Sequence, residues 1–317
     1  MQWQPAADLG VIRQRAELLS SLRRFFSDRD ILEVETPLLC SSGITDPSIE
    51  PLLVSSGGAL SQPRFLQTSP EYAMKRMLAA HGQPIFQVAR AFRDGEAGSR
   101  HNPEFSLLEW YRPGFGHHEL MQEVAELVQA CVGPRPVEKY SYRQLFLEHL
   151  DVDPHTATSA ELEALARRHL DPGNLAGERD LWLDLLMSHL LEPRLGDGTF
   201  CFVYDYPVSQ AALAQVVNAD GVSVGQRFEL YVDGVELANG YCELTDAAEQ
   251  RQRFERDNAL RLERGQQERP VDEYLLAALA HGLPSCSGVA LGVDRLLMLM
   301  TGTSRIQDVL AFDWTRC

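Results

Sequence analysis

The sequence predicts an α+β fold in which helices flank a mainly antiparallel sheet. Strand-like segments are joined by short polar connections, a pattern typical of hairpins and therefore of antiparallel strands. Amphipathic helical segments lie between groups of strands instead of alternating with them one by one. The 317 residues, 44% of them hydrophobic, can bury a large core, which excludes a wholly disordered chain.

The amino-terminal part begins with an amphipathic helix at 11–29, and the short strand after it ends at Pro37. The strands predicted at 85–93 and 104–112 are joined by a polar segment with two glycines, which indicates a long hairpin. A further amphipathic helix is predicted to end near residue 131.

From about residue 133 to 199 the pattern changes to helices and turns. We therefore expect one catalytic-type domain over residues 1–317 with a helical insertion at about 133–199. Strands return at 200–206, 228–232 and 235–241, and Asp233-Gly234 between the last two is typical of a tight hairpin turn. The last predicted elements are helices at about 246–264 and 271–282, and a strand, turn and helix over 287–300.

Composition narrows the class of protein. With 29 Lys+Arg against 45 Asp+Glu the net charge is −16, which disfavours general binding to nucleic acid. The six cysteines are scattered without a C-x-x-C, so neither a zinc site nor a disulfide framework is predicted, and a reducing compartment is expected. No signal peptide and no apolar stretch of about 20 residues is found, so we expect a cytoplasmic protein that does not bind membranes.

Three acidic residues lie on or just after the predicted hairpin: Glu229, Glu236 and Glu243. A two-residue turn places Tyr231 opposite Glu236, and Glu229 shares the face of Tyr231. Neighbouring carboxylates on one face suit a hard cation such as Mg²⁺, although a solvent-facing charged strand is the alternative. The mostly apolar segment that follows retains Asn239 and Glu243, which favours a site.

On the earlier hairpin, Glu109 and Tyr111 share a face with apolar neighbours, an arrangement that suits an ammonium group. Arg93, Arg100 and His101 flank its loop and suit phosphates. Cross-strand ion pairs between arginine and glutamate explain the same pattern, and both interpretations remain open. Arg295 begins a helix after a glycine-containing strand, where anions are favoured, but the G-x-G-x-x-G spacing of a dinucleotide fold is lacking.

Together these segments resemble the class II aminoacyl-tRNA synthetases. The segment Val34-Glu-Thr-Pro37, after an amphipathic helix, resembles motif 1 of this family. Motif 2 is resembled by the segment from Phe92-Arg93 through Arg100-His-Asn-Pro-Glu-Phe105 to Leu108-Glu-Trp-Tyr111, and motif 3 by Gly288 through Arg295. Two further segments resemble those of the lysyl branch: Ser69-Pro-Glu-Tyr-Ala-Met-Lys-Arg76 and Glu236-Leu-Ala-Asn-Gly-Tyr-Cys-Glu-Leu-Thr-Asp246. Because the motif 1 helix begins by residue 11, no anticodon-binding domain is expected. The layout is most similar to the shorter family of elongation factor P–(R)-β-lysine ligases.

The resemblance implies a class II synthetase-like catalytic domain and a set of site residues. It assigns to ATP the residues Arg93, His101, Asn102, Phe105, Glu236, Leu237, Gly292 and Arg295, of which Arg93 and Arg295 are the catalytic ones. It assigns to the amino-acid substrate Ser69, Pro70, Glu71, Glu109, Tyr111, Asn239, Glu243 and Ala290. It assigns Mg²⁺ to Glu229 and Glu236.

The implied activity is ATP-dependent activation of (R)-β-lysine as an adenylate, followed by transfer to a lysine side chain of elongation factor P. A homodimer is implied, and no tRNA is expected as a partner. Two alternatives remain: activation of α-lysine or lysylation of tRNA, and a catalytically inactive synthetase-like sensor of an amino acid.

Three positions depart from the family pattern. Arg93-Asp94-Gly95-Glu96 displaces the acid of the usual Arg-x-Glu by one residue, so either Glu96 or a backbone group would meet adenine. Asp30 stands before motif 1 where glycine is usual, which concerns the turn. Ala290 replaces a glycine usual in lysyl-tRNA synthetases, and its methyl group should narrow the pocket near the α-carbon.

Overall fold

The chain's structure, a computed structural model, describes residues 3–55 and 62–317. The helices in these residues are α1 (Leu9–Ser27), α2 (Glu71–His81), α3 (His117–Val132), α4 (Tyr142–Leu150), α5 (Ser159–His169), α6 (Arg179–Leu186), α7 (Ala247–Glu263), α8 (Glu273–Gly282) and α9 (Val293–Thr301). A π-helical turn (Met187–Leu191) continues α6, and short 3-10 turns lie at Glu192–Arg194, Val208–Gln210 and Ile306–Asp308.

Most of the strands lie in groups between these helices along the chain. They are β1 (Leu32–Glu33), β2 (Leu39–Cys40), β3 (Leu53–Val54), β4 (Arg64–Leu66), β5 (Ile85–Phe92), β6 (Glu104–Pro113), β7 (Val137–Ser141), β8 (Phe200–Pro207), β9 (Val216–Ala219), β10 (Val222–Val232), β11 (Val235–Cys242) and β12 (Cys286–Gly292). The α+β prediction is confirmed.

The chain divides into two compact units. The first comprises residues 1–115, 130–132 and 245–317, and the second comprises residues 116–129 and 133–244. The region predicted as a helical insertion lies in the second unit and contains α4, α5 and α6, but it also contains strand β7, which the sequence analysis did not predict. The single-domain assignment with an insertion remains a prediction.

In the first unit, β5 and β6 form the long antiparallel hairpin that was predicted, with β12 antiparallel to β6 and the short β1 parallel to β5. Strands β2, β4 and β3 form a separate small antiparallel sheet. The apolar face of α1 covers the hairpin, where Phe26 stacks on Phe86 at 4.4 Å between ring centroids and lies 5.2 Å from Trp110. Burial of this face explains the helical spacing seen in the sequence.

Helix α1 is also joined to α9 in this unit. The buried Asp294 accepts a hydrogen bond from the Ser106 backbone N–H at 2.7 Å and forms an ion pair with Arg15. The residue before motif 1, Asp30, has φ 55°, a left-handed conformation that glycine adopts at least cost. The replacement of the usual glycine by Asp30 therefore affects the conformation of the turn, as predicted.

In the second unit, β10 pairs with β11, β8 and β9 in antiparallel fashion, and β7 runs parallel to β8. Helices α4 and α6 pack on β8 through a core that includes the stacked Tyr142 and Phe146 and the buried Trp182. A capping box formed by Thr158 and Glu161 begins α5.

Two findings bear on the environment of the chain. All six cysteines lie in the described residues and no disulfide joins them. Across residues 3–55 and 62–317, no helix has both the length and the apolar character that crossing a bilayer requires.

Candidate active site

The start of α2 connects two of the predicted substrate residues in the first unit. Ser69 lies just before the helix, and its Oγ accepts a hydrogen bond from the Glu71 backbone N–H at 3.1 Å. The same hydroxyl donates to Glu109 Oε2 at 2.6 Å. One side chain therefore links Glu71, in the first turn of α2, to Glu109 in the middle of β6.

Glu109 is buried, with only 2% of its surface exposed. Its other oxygen, Oε1, accepts a hydrogen bond from the Tyr111 hydroxyl at 2.7 Å. In the β6–β12 ladder Ala290 stands directly opposite Glu109, and Gly288 stands opposite Tyr111. Because side chains of directly opposed residues lie on the same face, the Ala290 methyl group occupies space beside the Glu109 carboxylate.

The loop of the β5–β6 hairpin carries the predicted ATP residues of motif 2. The Arg93 guanidinium lies 5.1 Å from the centre of the Phe105 ring, and its Nη1 is 3.6 Å from Glu96 Oε1. Gly95 between them has φ 78°, which an L side chain tolerates poorly. The turn therefore explains why glycine replaces the usual acid here and why Glu96 is the acid that reaches Arg93.

His101 and Arg295, both predicted to bind ATP, contact each other. Arg295 Nη2 lies 2.7 Å from His101 Nε2. Partial desolvation of the imidazole and the Arg295 charge lower the pKa of His101. The ring is therefore neutral at pH 7 and accepts the hydrogen bond. Gly292 precedes both the first turn of α9 and Arg295 itself.

Asn102 has contacts of a different kind. Its side chain is buried, donates to the Glu104 carbonyl oxygen at 2.6 Å, and accepts from the Trp314 backbone N–H at 3.1 Å. Both ends of the amide therefore stabilise the loop and the carboxyl-terminal segment in the described structure. Its assignment to ATP remains a prediction.

In the second unit, the β10–β11 hairpin carries the predicted metal residues. Val232 pairs with Val235 and Tyr231 with Glu236, as the two-residue turn predicted. Asp233 and Gly234 both have positive φ, 50° and 70°. The register then shifts between Leu230 and Tyr231, so that Glu229 pairs with Asn239.

The register shift is a β-bulge, and it decides which side chains of the hairpin share a face. Glu236 and Asn239 are three residues apart, so regular alternation would place them on opposite faces of β11. One extra residue in β11 restores the phase, and both face the side on which Glu229 and Tyr231 lie. Further along β11, Tyr241 continues this face by alternation, and Glu243 follows just after the strand.

The surroundings of Glu229 were not predicted. Its Oε2 accepts hydrogen bonds from the Tyr206 hydroxyl at 2.7 Å and the Tyr231 hydroxyl at 2.5 Å, and its Oε1 forms an ion pair with Arg227. Arg227 also donates to Asn239 Oδ1 at 3.2 Å and to the Gln210 carbonyl oxygen at 2.8 Å. Arg227 thus joins a predicted metal residue to a predicted substrate residue.

The electrostatics agree with a closely paired buried cluster. Burial and the Glu229 charge raise the pKa of the Tyr206 and Tyr231 phenols well above their usual range. Burial opposes the charge of Arg227, but Glu229 and the surrounding phenols nevertheless raise the pKa of its guanidinium. Both hydroxyls therefore stay protonated and act as donors to Glu229.

The donor set is compatible with magnesium. Carboxylate oxygens are the ligands that Mg²⁺ prefers, and it usually takes substrate phosphates in addition to one or two protein carboxylates. Glu236 is half-buried, whereas Glu229 is buried and its Oε1 is paired with Arg227. No group of three or more His, Cys, Asp or Glu side chains within residues 3–55 and 62–317 could hold a metal alone.

Comparison with known proteins identifies the family. The family model of class II tRNA synthetases (D, K and N) matches residues 8–316. The chain belongs to the class II tRNA synthetase family. A protein of Edwardsiella ictaluri named elongation factor P–(R)-beta-lysine ligase is 49% identical over 99% of this chain and 98% of its own length. Proteins with the same name in Proteus mirabilis and Salmonella typhi are 49% and 48% identical, each over 98% of this chain and 97% of their own length.

The predicted residues thus fall into two sets, one in each unit. The first holds Ser69, Pro70, Glu71, Arg93, His101, Asn102, Phe105, Glu109, Tyr111, Ala290, Gly292 and Arg295. The second holds Glu229, Glu236, Leu237, Asn239 and Glu243, of which Leu237 and Glu243 are buried. Sequence reasoning missed Lys75, Tyr206 and Arg227. The spacing of Lys75 from Glu71 (four residues) and of Arg227 from Glu229 (two) could have indicated two of them, but no sequence signal pointed to Tyr206.

Proposed function

We propose that the chain is an ATP-dependent ligase that activates (R)-β-lysine and transfers it to a lysine side chain of elongation factor P. The observation that carries the proposal is the linked pair of carboxylates in the first unit, Glu71 and Glu109, joined through Ser69. A substrate with two ammonium groups needs two such acceptors. The names of relatives 47–49% identical over nearly the whole chain support the same activity.

The amino-acid substrate is proposed to bind through both carboxylates. Glu109, buried between the Ser69 and Tyr111 hydroxyls, would receive the side-chain ammonium. Glu71 would receive the amino group nearer the carboxylate. The methyl group of Ala290 beside Glu109 removes space at the end of the pocket that would receive the side-chain ammonium.

The first chemical step joins the amino acid to the nucleotide. A β-lysine carboxylate oxygen attacks the α-phosphorus of ATP, the bond to the departing pyrophosphate breaks, and an aminoacyl-adenylate forms. Arg93 would stabilise the charge on the α-phosphoryl oxygens, with Arg295 and His101 at the departing phosphates and Phe105 stacked on adenine. This catalysis consists mostly of positioning and electrostatic stabilisation.

Glu229 and Glu236 would hold Mg²⁺, which would neutralise charge on the phosphates when bound. In the second chemical step the ε-amine of the acceptor lysine attacks the adenylate carbonyl, AMP leaves, and the amine proton is released. The −16 net charge suits an acceptor that is a protein and not tRNA. A homodimer is part of this proposal.

The experiment is ATP–pyrophosphate exchange with (R)-β-lysine and with α-lysine in parallel, followed by mass measurement of elongation factor P after incubation with the enzyme. We expect exchange with (R)-β-lysine and one β-lysyl addition to the factor. Stronger exchange with α-lysine would refute the β-lysine assignment, and no exchange with either would favour an amino-acid sensor.

Arg93→Ala should abolish exchange in the same assay. Arg90→Ala is the matched control, because Arg90 lies three residues earlier and its side chain is exposed and forms a surface ion pair with Glu104 at 3.8 Å. Full exchange by Arg93→Ala would refute the role assigned to Arg93, whatever the substrate.

A further inference from the structure

Lysine is nearly absent from the chain. Of 29 Lys+Arg residues only two are lysines, Lys75 and Lys139. Lys139 is exposed on β7 in the second unit, whereas Lys75 is buried in α2, four residues after Glu71. The one buried lysine of the protein therefore lies beside a carboxylate to which the proposed function assigns a substrate ammonium group.

The contact between the two side chains is close. Lys75 Nζ lies 2.6 Å from Glu71 Oε1, with 2% of the lysine side chain and 14% of the glutamate side chain exposed. Glutamate four residues before lysine is the favourable order on a helix, and Glu71 also lies in the first turn, where the helix dipole favours an anion. The contact therefore agrees with the preferred order of the two residues on a helix and with the dipole of α2.

Burial favours keeping the Lys75–Glu71 ion pair formed. A surface ion pair exchanges readily with water, but an ammonium group removed from water must keep a partner or lose its charge. Glu71 is thus tied at its carboxylate by Lys75, while its backbone N–H is bound to Ser69 Oγ. Turning Glu71 away would break both of these contacts, the one at its carboxylate and the one at its backbone N–H.

We propose that Lys75 is a positioning residue of the amino-acid site: by binding Glu71 Oε1, it fixes the carboxylate so that Oε2 is presented to the amino group of the substrate. Among the residues that the structure describes, Oε2 accepts no hydrogen bond. Through Ser69 the same arrangement sets the position of Glu71 relative to Glu109. This inference rests on the proposed function and adds to it a residue that does not touch the substrate.

Lys75→Arg is the discriminating variant. It keeps the charge and an ion pair, so a merely structural role would be preserved. A guanidinium, however, binds a carboxylate through two parallel hydrogen bonds and would occupy both oxygens of Glu71. We expect the KM for (R)-β-lysine in pyrophosphate exchange to rise by about tenfold or more, the loss of about one hydrogen bond to a charged group, while the KM for ATP stays within about twofold.

Lys75→Met should raise the same KM, because Glu71 loses the partner that orients it. Lys139→Met, at the only other lysine of the chain, is the matched control and should leave both KM values unchanged. Thermal unfolding followed by circular dichroism checks that each variant is folded. If Lys75→Met does not fold, the two KM values of Lys75→Arg alone test the inference.

An unchanged KM for (R)-β-lysine in folded Lys75→Arg would overturn the inference, as would an equal rise in the KM values for both substrates. These results differ from failure of the proposed function, in which the wild-type chain itself would show no exchange with (R)-β-lysine.

Discussion

Single side chains in this molecule connect groups that the sequence presents separately. Ser69 binds the backbone of Glu71 and the carboxylate of Glu109, which stand 38 residues apart in the chain. Each of the three residues could be assigned from family resemblance. The hydrogen bonds between them could not, because they depend on where α2 begins relative to β6.

His101 provides a prediction at the same scale. Partial desolvation and Arg295 place its folded pKa below the usual value of 6.5. The neutral ring, and with it the contact to Arg295, is therefore complete above that pH and is lost as the pH falls through the lowered pKa. We expect the KM for ATP to be flat above about pH 7 and to rise in acid.

The measurement is pyrophosphate exchange as a function of pH for the wild type and His101→Gln. The glutamine oxygen can accept from Arg295 at every pH, so the variant should lose the acid rise in the KM for ATP. Because the pKa values of His118 and His155 in the second unit are also lowered, only the difference between the two profiles tests His101. Identical profiles would contradict the prediction.

At the scale of elements, the β10–β11 hairpin shows how a small irregularity changes the chemistry of a strand. The turn and the Tyr231–Glu236 pair follow from Asp233-Gly234 and are confirmed. The bulge was not predicted, and it alone brings Asn239 to the face of Glu229. Arg227 then bridges the two side chains.

Arg227→Lys should weaken substrate binding. A lysine can stay near Glu229, but it cannot reach Asn239 and the Gln210 carbonyl oxygen together. Loss of one or two net hydrogen bonds, about 1 kcal/mol each, corresponds to a rise of roughly fivefold to thirtyfold in the KM for (R)-β-lysine. Steady-state exchange kinetics provide the measurement.

Arg135→Lys is the control on the same hairpin, since Arg135 forms a partly exposed pair with Asp233 of the turn. Surface pairs contribute about 0–1 kcal/mol, so its KM should change little. An equal rise in the KM for (R)-β-lysine in both variants would contradict the bridging role of Arg227.

Gly196 supports the same hairpin from the preceding connection. Its φ is 73°, and a Cβ there would lie 2.5 Å from the Tyr231 carbonyl oxygen and 2.8 Å from Val232 Cα. Gly198, with φ 66°, has open space around it. Both glycine-to-alanine changes carry the cost of a left-handed conformation, about 1 kcal/mol, and only Gly196→Ala adds a backbone clash of about 1–3 kcal/mol.

Urea unfolding of the two variants measures this difference. The free energy of unfolding should fall clearly more for Gly196→Ala than for Gly198→Ala. Equal losses would show that the hairpin moves away from residue 196 without cost.

At the scale of the whole molecule, the scarcity of lysine has a chemical consequence. An enzyme whose product acylates lysine amines exposes its own amines to that product. Lys75 is buried and paired with Glu71, which shields its amine from an activated acyl group, and Lys139 is the only other lysine. We expect no β-lysyl group on Lys75 after prolonged incubation with ATP, Mg²⁺ and (R)-β-lysine.

Peptide mapping by mass spectrometry tests this expectation. As a control for detection, the chain unfolded in urea and treated with an acetylating reagent should be modified at both lysines. A β-lysyl group on Lys75 in the folded enzyme would contradict the shielding of this amine by burial and by Glu71.

The sequence by itself determined the fold class, the family and the order of the motifs. Hairpin spacing, amphipathic periods and the Asp233-Gly234 turn are local properties, and local patterns survive without knowledge of the rest of the chain. The same reasoning did not find α2, the small β2–β4–β3 sheet or β7, where the signals are short and weak.

Only the tertiary structure decided which partners the charged residues have. The pairing of Lys75 with Glu71 required α2, the position of Ala290 opposite Glu109 required the β6–β12 register, and the contacts of Glu229 required the strand β8 that carries Tyr206. Hydrogen bonds and ion pairs depend on distances of a few ångströms, and those distances are set by packing between segments far apart in the chain. Residue types therefore predicted the chemistry of this protein, and the fold decided its connections.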